Sequence, residues 1–153
     1  MKKVKDKDIK GLSILLGFAA TLMIFLPALI APNSDEAYTG MQVVFGYDFI
    51  DFGSFAGGAL KFSIINFVAF LLPLIASLLL LSTKKNNFLS TVLFAAGAVL
   101  LFMVSLYTVV TITLFGNVTT REVDWQLGIG LTLAIIFSAL GFLLGVYRHV
   151  RKA

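Results

Sequence analysis

The sequence contains no cysteine, and its 153 residues include one histidine, three prolines and one tryptophan. Without cysteine there are no disulfides, no thiolate metal ligands and no thiol nucleophile. His149 stands in the basic stretch Arg148-His149-Val150-Arg151-Lys152, with no second histidine to share a zinc ion or to activate a serine elsewhere. Charged residues are scarce too, at 13% against about 25% in soluble proteins. Gly128-Ile129-Gly130 lacks the third glycine, and the preceding strand, that a dinucleotide-binding turn requires. The expectation is a non-enzymatic protein with no cofactor and no metal. The net charge of +4 lies beside apolar segments rather than in a basic domain, so nucleic acid is not an expected partner.

What the chain has in abundance is apolar length, with 59% of residues hydrophobic. No charge interrupts Phe62 to Leu81 or Phe88 to Thr120, and each run exceeds the roughly 18 apolar residues that mark a membrane-spanning helix. The expected fold is an all-α membrane protein. A single integral membrane domain, 1–153, holds a four-transmembrane-helix bundle with helices at about 11–31, 59–83, 88–115 and 125–147. The first run is longer than the 7 to 15 residues of a signal peptide core, and Pro32 follows the only candidate cleavage residue, Ala31. It is therefore expected to remain as a helix that ends between Pro27 and Pro32. The third run would be about 42 Å long as a helix, more than a ~30 Å hydrocarbon core needs, so tilt or protrusion is expected.

The segment from Asn33 to Gly58 is glycine-punctuated and carries Phe45, Tyr47, Phe49, Phe52 and Phe55, the candidate interaction residues. Five aromatic rings do not stand in water unsupported, so an ordered extracytoplasmic cap is expected, either a short β-hairpin around Gly46 or an interfacial segment. In the fourth run Gly130, Ala134, Ser138, Gly141 and Gly145 form a stripe suited to close helix packing. Asn66 and Pro73 are the candidate polar or hinge positions, with Asn66 expected some 8–10 Å along its helix. Trp125 marks an outer membrane interface.

Lys and Arg concentrate at the N-terminus, the Lys84-Lys85 turn and the C-terminal tail, which hold ten of the twelve, while Asp35, Glu36, Asp48, Asp51, Glu122 and Asp124 fill the other two loops. The positive-inside rule then puts both termini in the cytoplasm of a multi-pass cell-membrane protein. The layout resembles that of claudin-like four-helix membrane proteins, in which outer-loop strands form a small sheet. The first loop here has neither the tryptophan nor the paired cysteines of that family, so no residue role carries over. The expected function is an interaction or accessory subunit acting through its bundle and aromatic loop. The alternative is a small transporter or channel component with a polar path near Asn66 and Pro73. Expected partners are the lipid bilayer and a membrane protein or a second copy of the chain.

Overall fold

The computed structural model describes residues 6–32, 34–53, 55–82 and 87–151. The Lys84-Lys85 turn and Lys2, Lys3, Lys5 and Lys152, which carry much of the orientation argument, lie outside the described residues.

Four helices dominate the structure: α1 (Asp6–Leu22), α3 (Ile64–Ser82), α4 (Asn87–Tyr107) and α5 (Ile129–Val150). All four are long and apolar enough to cross a membrane, at 19 to 22 residues including a 3₁₀ turn that extends α1 to Phe25. At 1.5 Å per residue each reaches about 30 Å, the thickness of a hydrocarbon core. They pack in a closed ring, α3 against α1 and α4, and α5 against α4 and α1. Their outer surfaces expose Leu15, Phe102 and Leu143, each about 60% accessible, where a water-soluble bundle would place polar side chains.

The expectation of an all-α fold with at most a short β-hairpin needs correcting, because among the described residues seven short strands and a short helix occupy the other end of the ring. Strands β1 (Pro27–Ile30), β2 (Ala37–Thr39) and β7 (Gln126–Leu127) form one antiparallel sheet, ordered β2-β1-β7. Strands β3 (Tyr47–Asp51), β4 (Ala56–Leu60), β5 (Val109–Leu114) and β6 (Asn117–Glu122) form a second, ordered β3-β4-β5-β6. Helix α2 (Gly40–Phe45) links them, with the Thr39 hydroxyl and the Gln42 side chain forming reciprocal bonds at its start.

Each helix boundary moves for a local reason. Leu26 is extended because it precedes Pro27, so α1 ends before that proline and the next residues become a strand. Helix α3 begins at Ile64, not near 59, since 56–60 is strand β4 and Ser63 Oγ accepts from the Asn66 amide as an N-cap. Helix α4 stops at Tyr107 instead of 115, because Val109-Val110-Thr111-Ile112-Thr113 is β-branched throughout and pairs along β4. The third run therefore needs no excess tilt. Helix α5 begins at Ile129, leaving Trp125 outside it, as the Gly128 amide donates to Ala28 O at 2.7 Å.

The main core runs from the upper helices into the strands, through Leu29, Val43, Val44, Phe70, Leu101, Val104 and Leu131. A smaller cluster of Ala76, Leu80 and Phe94 fills the opposite half of the ring. There Arg148, only 4% exposed, joins the ends of α1 and α5 through two bonds to the Asp6 carboxylate, at 2.9 and 3.3 Å.

Candidate interaction surface

The four-stranded sheet ends away from the helices in two hairpin turns. In the β3–β4 turn Asp51 Oδ1 accepts from the Gly53 amide, Gly53 takes positive φ, and the Phe52 amide reaches Ala56 O at 2.8 Å. The β5–β6 turn is Phe115-Gly116, with Leu114 paired to Asn117, and both central residues have positive φ, +50° and +79°. Two-residue hairpins favour this conformation, but they fill the first position with Asn, Asp or Gly. A phenylalanine there costs about 1–2 kcal/mol. It is also 79% exposed, so burial does not offset the strain.

Phe115 has company at this end of the sheet. Its amide donates to Phe55 O at 3.0 Å, and the two rings meet edge to face at 6.2 Å. Phe55 is 70% and Phe52 73% exposed, so three phenylalanines from two hairpins stand clear of the core.

The five loop aromatics thus divide. Phe45 packs its ring against Phe67 and Phe62 at the base of α3. Phe49 covers Gly58, where a Cβ would collide with its ring. Tyr47 leans on Tyr38, and Phe52 and Phe55 belong to the exposed tip.

Sequence reasoning missed Tyr38. It is 7% exposed and sits against Tyr47, Phe49 and Trp125, with centroids 6.2, 6.1 and 5.7 Å away, and so locks the two sheets together. Its hydroxyl donates to Glu36 Oε2 at 3.1 Å; burial, then that hydrogen bond and the carboxylate's charge, raise the phenol's pKa above its ordinary value. Phe115 lies in a hairpin turn instead of at the end of a helix. The alternation Val-Thr-Ile-Thr-Leu before Phe115-Gly116-Asn117 was the available signal.

Asn66 lies in the first turn of α3, shallower than expected because that helix starts later. It is fully buried; Nδ2 donates to Thr108 Oγ1 at 2.9 Å and more weakly to Val43 O, while Oδ1 has no partner among the described residues. Thr108 Oγ1 donates onward to Val104 O, and Trp125 Nε1 donates to Thr108 O at 2.8 Å. Pro73 is buried beside Gly97, and nearby Ser77 Oγ donates to Ile14 O.

The small-residue stripe of α5 faces its neighbours in the ring. A Cβ on Gly130 would strike the backbone of Met23 and Leu26, one on Gly141 the Phe94 ring, and one on Gly145 the Thr91 side chain. Ala134 is fully buried, and Ser138 Oγ donates to Phe94 O at 2.9 Å.

A polar, open trough of about 330 Å³ lies on the sheet, lined by Asp48, Asp51, Lys61, Thr111 and Thr113 among others. Among the described residues no three His, Asp or Glu side chains gather as a metal site. In comparison with known proteins, no family model, no curated protein and no solved structure matches this chain.

Proposed function

We propose that the chain is a four-span protein of the cell membrane, with both termini cytoplasmic, that works as a non-enzymatic interaction or accessory subunit. Its extracytoplasmic sheet presents Phe52, Phe55 and Phe115 to a membrane-protein partner. The observation that carries this reading is Phe115, an exposed aromatic held at positive φ, where burial does not offset the strain. Aromatic side chains are the usual anchors of protein interfaces, and three within one tip supply a centre for such a patch. Strand β6, exposed along its whole length at the sheet edge, gives adjoining backbone for a partner to meet.

Affinity capture from mild detergent tests this. Phe115→Asn should release the dominant partner while making the fold more stable, because Asn tolerates positive φ. Phe52→Ser with Phe55→Ser should release the same partner. Unchanged capture in both variants would refute the reading.

A small transporter or channel component is the second reading, favoured by the unpartnered Asn66 Oδ1. The close packing of Asn66 and Pro73, both buried, supports the interaction role instead.

A further inference from the structure

Between the first turns of α4 and the last turns of α5 lies an apolar cleft of about 230 Å³, lined by Phe88, Thr91, Val92, Ala95, Phe142 and Val146, with His149 and Val150 at its end. The lining recurs at the three- and four-residue spacing of one helix face on each side. Gly145 shapes it: without a Cβ, α5 closes onto Thr91, and the larger Phe88 and Phe142 stand on either side of that contact. At its mouth the His149 ring rests on Phe88, with centroids 6.0 Å apart.

We infer that this cleft binds one acyl chain of an anionic phospholipid from the cytoplasmic leaflet, an assignment that rests on the membrane-spanning reading above. Water in so apolar a cleft would forgo its hydrogen bonds, whereas hydrocarbon fills it without loss. The headgroup sign follows from charge complementarity. Among the described residues Lys7, Lys10, Arg148 and Arg151 belong to the helix ends on this side, against two acids, Asp6 and Asp8, and Asp6 is bonded to Arg148. His149 lies at the end of the cleft, where a headgroup would sit once its chain is seated. Basic residues next to a membrane favour anionic over zwitterionic lipid.

Native mass spectrometry of the purified full chain, with palmitoyl-oleoyl phosphatidylglycerol or phosphatidylcholine added after delipidation, tests the inference. The wild-type protein should retain one phosphatidylglycerol per chain, held roughly tenfold better than phosphatidylcholine. Ala95→Phe, and independently Val92→Trp, should fill the cleft and abolish that retention with the melting temperature kept. His149→Ala with Arg151→Ala should keep one lipid but bring the two headgroups to near parity. Equal retention in the wild type and both filled-cleft variants would overturn the site. So would a change in dimer content in place of lipid, which would assign the cleft to a second copy. Failure of the membrane reading itself shows separately, as release of the chain from membranes by alkaline carbonate.

Discussion

Asn66 Nδ2 donates to Thr108 Oγ1 at 2.9 Å, tying the first turn of α3 to the residue that follows α4. Because Trp125 Nε1 donates to the carbonyl of the same threonine, one residue joins two helices to the segment that leads into the fifth. The bond lies where helix hands over to sheet, so it fixes the angle at which the strands leave the ring.

Thr108→Val should therefore lower stability by about 1 kcal/mol, the scale of a hydrogen bond whose buried donor is left behind. Trp125→Phe should cost a similar amount. The double variant should fall short of the sum, since both bonds converge on Thr108. Thermal unfolding in detergent reads all three.

The α5 stripe makes a distinct prediction. Gly141→Leu would drive a side chain into the Phe94 ring, and overpacking of this kind costs about 1–3 kcal/mol. The expected outcome is a lower melting temperature with unchanged oligomeric state by light scattering. Weaker assembly at an unchanged melting temperature would instead place the stripe between chains.

Tyr38 gives the cap an alkaline signature. A phenol whose folded pKa is raised above its unfolded value contributes stability that is fully present below about pH 10 and is lost as pH rises through the folded pKa. Absorbance titration should show one tyrosine ionising above the ordinary phenol range, and Tyr38→Phe should remove it. Glu36→Gln should shift that ionisation downward, since the negative charge goes and an amide oxygen is a weaker acceptor than a carboxylate.

Topology can be read by labelling. Single cysteines at Asp35 and Asp124 should react with an impermeant thiol reagent on intact cells, and one at Asn86 should react only after permeabilisation. Labelling of position 86 from outside would contradict four spans.

The helices were legible because lipid-facing helices carry uninterrupted apolar residues, which composition alone reveals. Their outer boundaries were not, because strands β1, β4 and β5 are as apolar as the helices they adjoin. Pro27-Ala28-Leu29-Ile30 and Val109-Val110-Thr111-Ile112 look like helix by hydropathy and declare themselves only through proline and β-branching. The interaction candidates were half legible. Phe52 and Phe55 stood in a recognisable loop, but Phe115 joins them only through strand pairing between β4 and β5, a relationship between distant segments that local pattern does not carry. Tyr38 was passed over as one aromatic among acids, though Glu36 beside it is what satisfies its hydroxyl.

The most direct test of the docking tip is photocrosslinking in cells, with a benzophenone-bearing phenylalanine placed singly at positions 52, 115 and 49. Adducts with one discrete protein are expected from 52 and 115, and none from 49, whose ring is turned inward over Gly58. Adducts confined to lipid, or no adduct from either tip position, would contradict a protein partner at this surface.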